Sequence, residues 1–289
     1  MAPVLIYLTA AQMYPLLETV RLGFTDTRAT NPDSGAFVGL ANYQQLLTED
    51  PRFWGIVRNS VFWVLSSVVL QIGLGTIAAI VLNLNLRLRA LWRGLLMVPW
   101  VTPVVVVAII WRWLFDGQSG IVNHYLERVG VIDDPIVFLA SEFWVWPVLL
   151  LASTWKGVPF ATLLILAALQ SLPTELTEAG QVDGAGPIRR FWHITLPHLR
   201  PTLFVTAMTS LVTTWFKFEI IWALTNGGPG FATSILPTYV YAVAFQSFEF
   251  GRAGAVATLA MVMVLVIAGF VALLFGERER SLRLRRVTR

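Results

Sequence analysis

The chain has 289 residues, of which 56% are hydrophobic and only 13% charged. Soluble domains carry about 25% charged residues, so this composition excludes an ordinary cytosolic enzyme and a disordered chain. The absence of cysteine excludes a disulfide scaffold, a thiolate zinc site and a thiol nucleophile, and the net charge of +4 rests on arginines clustered between apolar runs, a pattern of membrane orientation rather than nucleic-acid binding.

A helix needs roughly 20 apolar residues to cross the hydrocarbon layer. Six runs meet or approach that length: about 2–24, 59–86, 94–115, 143–172, 202–224 and 253–276. None alternates with period two, so the expected fold is all-α, an integral membrane protein with six transmembrane helices in a single domain over 1–289. The first run is read as a retained span rather than a signal peptide, because no basic segment precedes it and it exceeds a usual signal core. It begins so close to Met1 that a start site omitting a short cytoplasmic leader is also open. The segment Gly39–Leu47 has helical apolar spacing, which suits either a short external helix on the membrane surface or a plain turn.

Charge sets the orientation. Arg87, Arg89 and Arg93 follow the second run; Arg189, Arg190 and Arg200 follow the fourth; the tail holds Arg278, Arg280, Arg283, Arg285, Arg286 and Arg289. Opposite loops are acidic, with Asp26, Asp33, Glu49, Asp50, Asp116, Glu127, Asp133, Asp134 and Glu142. The positive-inside rule makes the arginine side cytoplasmic, with both termini inside.

One internal cytoplasmic loop has room for structure: 173–200, within Ser171–Pro201. Pro173 and Thr174 suit a helix start. Asp183-Gly184-Ala185-Gly186 breaks that helix, and Pro187 suits the first position of a second. Pro197 and Pro201 are expected to end the second helix before the fifth span. The product is a helix–turn–helix knuckle with exposed apolar side chains, either a partner-docking element or an interfacial hairpin joining two spans.

The residues of this knuckle carry a resemblance. Glu178-Ala179-Gly180, then Asp183-Gly184-Ala185, then Ile194-Thr195-Leu196-Pro197 resemble the coupling loop of permease subunits of binding-protein-dependent ABC importers. Gly180 stands where the family usually has Ala, a change that weakens a helix by about 1 kcal/mol. Further strings resemble the carbohydrate-uptake branch, of maltose and glycerol-phosphate type: Met13-Tyr14-Pro15, Gly39–Tyr43, Val98–Pro103, Thr154–Phe160, Leu224–Pro229 and Phe248–Ala253.

The resemblance implies a type I ABC importer permease fold in a bacterial or archaeal cytoplasmic (inner) membrane. It implies a heterodimer with a second permease, two ATPase subunits below, and an extracytoplasmic substrate-binding protein. Such a chain is not an enzyme and binds no cofactor itself; ATP and magnesium belong to the partner ATPases. The sequence agrees independently, because a phosphate-binding P-loop needs Gly-Lys-Ser/Thr, and the only lysines, Lys156 and Lys217, do not follow glycine. The coupling residues implied are Glu178, Ala179, Gly180, Asp183, Gly184, Ala185, Ile194, Leu196 and Pro197.

Lys156, Lys217 and Glu219 lie inside predicted spans, where a charge must face a cavity, find a partner or snorkel to the interface. By local match to sugar permeases the substrate path comprises Trp100, Ser153, Lys156, Gly157, Phe160, Thr213, Thr214 and Lys217, with Glu219 as a further polar candidate. The two lysines depart from the maltose type, which leaves other sugars or a phosphorylated polyol open. Trp111, Trp113, Trp144 and Trp146 read as interfacial belt residues. Pro99, Pro103, Pro147 and Pro159 are candidate kinks where cavity-facing polar groups can satisfy the backbone. The histidines His124, His193 and His198 form no metal-ligand pattern. A self-sufficient secondary transporter or channel is the alternative, although the three-span halves show no internal repeat of the kind such transporters carry.

Overall fold

The computed structural model describes the backbone of residues 2–287 and the side chains of Tyr7 and residues 9–273. The tail arginines from Arg278 onward therefore lie outside the described side chains. Thirteen α-helices are described: α1 (Ala2–Leu22), α2 (Ala41–Gln44), α3 (Phe53–Asn83), α4 (Arg89–Val101), α5 (Val104–Leu114), α6 (Ile121–Arg128), α7 (Val145–Gln170), α8 (Thr174–Val182), α9 (Pro187–Arg190), α10 (Leu196–Trp215), α11 (Glu219–Thr225), α12 (Leu236–Tyr241) and α13 (Phe250–Val287). Among the described residues no strand forms; two isolated bridges, Thr25 to Phe37 and Arg28 to Asn31, pin the loop after α1.

Among the described residues three helices are long and apolar enough to cross a membrane: α3, α7 and the Phe250–Leu273 part of α13. The third expected span is not one straight helix. It breaks after α4 at Thr102-Pro103, and α5 leaves at 94°. Pro103 has no N–H to continue the ladder and its ring disfavours a helical residue before it, which puts Thr102 in an extended conformation. The fifth expected run is also divided: α10 ends at Trp215 and α11 starts at Glu219.

The chain forms two compact units, Met1–Phe62 with Trp215–Ala272, and Trp63–Thr214 with Leu273–Arg289. In the second unit the core is Ala79, Leu82, Ala161, Ile165, Leu166, Leu169 and Leu199. Small residues draw α3 and α7 together there. A Cβ on Gly75 would stand 2.8 Å from the Ala161 Cβ, and one on Gly157 would overlap the Gln71 amide. Close approach through small residues is how membrane helices gain packing without a hydrophobic driving force. In the first unit, Asn59 donates to the carbonyls of Ala232 (3.0 Å) and Ser234 (3.2 Å), and Ser60 accepts from the Leu236 amide at 2.8 Å. The buried Trp215 indole donates to the Ala260 carbonyl at 3.1 Å.

Of the two readings open for Gly39–Leu47, the chain takes both in turn: Gly39 and Leu40 form a turn, and α2 from Ala41 runs into a wide π-type turn over Gln45–Glu49. The chain after α9 departs from expectation, because Pro197 and Pro201 do not end the helix. A π-type turn over Phe191–Thr195 links α9 to α10, with the Leu196 amide reaching back to the Phe191 carbonyl. Such a turn displaces the carbonyl that the Pro197 ring would otherwise strike, so α10 continues through Pro197, and Pro201 lies further along inside it.

Candidate functional site

Loop 173–200 is ordered by its own backbone. After α8, Gly184 adopts φ +72°, a left-handed conformation that glycine takes without penalty. Its amide donates to the Gln181 carbonyl at 3.0 Å, and the Ala185 amide to the Gly180 carbonyl at 2.9 Å. This pair of bonds is a Schellman motif, which satisfies the last carbonyls of α8 and reverses the chain. Pro187 then starts α9. Gly180 has a packing reason: a Cβ there would meet Ile194 Cδ1 at 2.8 Å, with Arg190 Cδ and Cγ at 3.5 Å. The departure from the usual alanine thus makes room for Ile194, and Glu178, Ala179, Asp183 and Ala185 lie on the first arm and its turn. Leu196 and Pro197 open α10. Val182 and Ile188 stay strongly exposed at the tip, an apolar surface that the chain itself leaves uncovered.

The expected path residues fall in both units. On α7, Ser153, Lys156, Gly157 and Phe160 share one helical face by their spacing. Ser153 is fully buried and receives a long 3.5 Å contact from Gln71 Nε2. Gln71 is itself buried and abuts Gly157. Lys156 reaches the break between α4 and α5, where its Nζ donates to the carbonyls of Thr102 (2.6 Å) and Trp100 (3.3 Å). Those carbonyls sit at the negative end of α4 and lack helical partners because the helix stops at Val101 and the chain turns by 94° into α5. Lys156 is thereby tied to Trp100 through that residue's backbone, while the Trp100 side chain is half-exposed. On α10, Thr213 is exposed and its hydroxyl donates back to the Thr209 carbonyl at 2.8 Å. Thr214 is buried, with its hydroxyl unpartnered among the described residues. Lys217 lies in the break after α10, in the first unit. Glu219 is an exposed residue in the first turn of α11, where a carboxylate is favoured by the helix dipole.

The sequence did not single out a charged cluster in the first unit. Asp50, with a side chain only 3% exposed, accepts from the Tyr239 hydroxyl, from Arg252 Nη2 at 2.5 Å and from the Arg52 amide at 2.9 Å. Arg252 also pairs with Glu249 at 3.5 Å, and Glu249 with Arg28 at 3.6 Å. Burial raises the Asp50 carboxyl, but the Tyr239 and Arg52 hydrogen bonds and the Arg252 charge outweigh it and hold the group below its usual range. Burial, and then the bond to Asp50, push the Tyr239 phenol above its usual range. Beside the cluster lies a cavity of about 420 Å³, with Arg52 stacked 4.3 Å above the Phe231 ring. Asp50 and Arg252 are 202 residues apart, so no local pattern could pair them. The one available signal was an arginine placed where a span begins.

Among the described residues no group of three potential metal ligands occurs. The arrangement instead offers helices broken at mid-run, polar side chains at the breaks, and an ordered apolar-tipped loop. These are features of a membrane transport subunit.

Residues 71–279 match the family described as binding-protein-dependent transport system inner membrane component. The chain is 34% identical over 265 residues to the sulfoquinovosyl glycerol transport system permease protein SmoG of Agrobacterium fabrum, covering 91% of this chain and 85% of that one. It is 31% identical over 287 residues to the lactose transport system permease protein LacF of Rhizobium radiobacter, covering 97% and 93%. A chain of the crystal structure of a bacterial ABC transporter involved in the import of the acidic polysaccharide alginate shares its fold, with a TM-score of 0.80 at 23% identity, over 95% of this chain and 93% of that one. The chain belongs to the binding-protein-dependent transport system inner membrane components and is a permease subunit of an ABC importer.

Proposed function

We propose that this subunit carries a sugar or related polyol inward by alternating access, as one half of a permease heterodimer served by two ATPase subunits and an external binding protein. The observation that supports the carbohydrate class is the likeness to SmoG and LacF over most of both chains. In this reading six segments span the inner membrane and both termini are cytoplasmic. Loop 173–200 docks into an ATPase subunit through its apolar tip and passes nucleotide-driven closure to α7 and α10, the helices that flank it.

The substrate path is assigned to Trp100, Ser153, Lys156, Gly157, Phe160, Thr213, Thr214, Lys217 and Glu219. The shared face of four of these on α7, beside buried Gln71, supports the assignment. A sugar pairs apolar ring faces with many hydroxyls, so it suits aromatic and hydrogen-bonding side chains together. ATP and magnesium stay on the ATPases, and the permease does no covalent chemistry. The test is reconstitution of the assembled transporter in lipid with its binding protein, measuring ATP hydrolysis across a panel of sugars and polyols. One saccharide should stimulate turnover well above the ligand-free rate. Stimulation by none of the panel, but by an amino acid or a metal ion instead, overturns the carbohydrate reading.

A further inference from the structure

The second unit holds a groove of about 950 Å³ bounded by α3, α4, α5 and α7, and its wall is almost wholly apolar. Leu74, Val81, Leu95, Leu96 and Val158 supply much of it. The lining residues Leu86 and Trp92 are sequence neighbours of Arg87 and Arg93, which with Arg89 stand beside the groove rather than in its wall. Arg89 Nε donates to the carbonyl of the groove residue Leu82 at 2.9 Å, which fixes that guanidinium against the wall. With its amide oxygen turned toward them, Gln170 accepts from Arg89 Nη2 at 2.9 Å and Arg93 Nη2 at 2.7 Å. Arg93 Nε is buried with no acceptor among the described residues. Arg87 is exposed.

We infer that this groove is a binding site for an anionic phospholipid, with an acyl chain along the apolar wall and the headgroup phosphate on Arg87 and Arg93. Charge complementarity commits the site to that occupant. An apolar trough in a membrane subunit favours hydrocarbon, and the exposed guanidinium of Arg87 near partly exposed Arg93 matches a phosphate oxygen. Half-exposed Trp92 beside the arginines suits the headgroup level, where indoles concentrate. Basic pockets between membrane helices recognise anionic headgroups in this way. The site shares no residue with the proposed path, so its occupancy is independent of which solute is carried.

The experiment places the assembled transporter in nanodiscs of mixed phosphatidylglycerol and phosphatidylcholine, then reads retained lipid by native mass spectrometry. Phosphatidylglycerol should be retained over phosphatidylcholine on the order of tenfold. Arg87→Gln with Arg93→Gln should bring that ratio near unity. Ala78→Trp, which fills the groove and leaves the arginines intact, should abolish retention of either lipid. Equal retention of the two lipids by the unaltered complex overturns the proposal. So does a preference that survives both changes, or a cross-link from the partner permease to position 92 showing that protein covers the groove. If the double variant fails to assemble, Ala78→Trp alone decides.

Discussion

Lys156 Nζ donates to the Thr102 carbonyl at 2.6 Å, joining α7 to the end of α4 across 54 residues of sequence. The break at Thr102-Pro103 leaves carbonyls that a straight helix would satisfy, and one flexible ammonium serves two of them. Lys156→Met keeps the apolar stem and removes the donor. The assembled complex should lose about 1–3 kcal/mol of stability, seen as a lower midpoint of thermal unfolding. Lys156→Arg should recover part of it. An unchanged midpoint in Lys156→Met would leave the lysine with only a path role.

The turn of loop 173–200 depends on the left-handed Gly184. Gly184→Val should strain it by about 1–2 kcal/mol while leaving the chain inserted. ATP hydrolysis should then become insensitive to substrate-loaded binding protein. Gly180→Leu should act similarly by displacing Ile194, and Ile194→Ala should partly restore coupling in that background, since the two occupy one space. Substrate-stimulated ATPase activity is the readout. Full stimulation in Gly184→Val would exclude a coupling role for the turn.

Asp50 is buried against Arg252, so Arg252→Ala leaves a carboxylate without its cation and should cost about 3 kcal/mol. The cluster also predicts a pH window. The Asp50 carboxyl is lowered in the fold, so its stabilisation is present above its unfolded value and lost as pH falls below about 4. The Tyr239 phenol is raised, so its stabilisation is present below its unfolded value and lost as pH climbs above about 10. The unfolding midpoint of Asp50→Asn should lie below that of the unaltered complex at neutral pH. The gap should close in acid. A constant gap from neutral pH into acid would show that the ion pair is not its source.

Gly157 and Gln71 occupy one close approach of α7 to α3. Gly157→Val forces the helices apart and should cost about 1–3 kcal/mol. Yield of the assembled complex after detergent extraction should fall accordingly. Gln71→Ala in the same chain should recover much of the loss by emptying the overlapped space.

Composition alone made the membrane legible, because 13% charge cannot coat a soluble globule. The turn of loop 173–200 was legible too, since Gly184 and Pro187 act through local backbone rules. The break at Pro103 was readable as a candidate kink, but its 94° bend and its bond to Lys156 were not. A proline states only that the ladder is interrupted; which distant side chain meets the freed carbonyls depends on packing. Pro197 shows the reverse case. Its breaking signal was strong, yet a π-type turn absorbed the ring and the helix went on. The Asp50, Tyr239 and Arg252 cluster lay beyond any window, because its members meet only through the fold of the first unit.

The most direct measurement is solute uptake into sealed vesicles containing this chain alone, or the chain with its partner permease, ATPase subunits and sugar-loaded binding protein. Uptake should require the complete set and ATP, and should stop when the nucleotide is replaced by a non-hydrolysable analogue. Sustained uptake by the chain alone, without ATPase subunits or nucleotide, would contradict an ATP-driven permease and support a self-sufficient transporter.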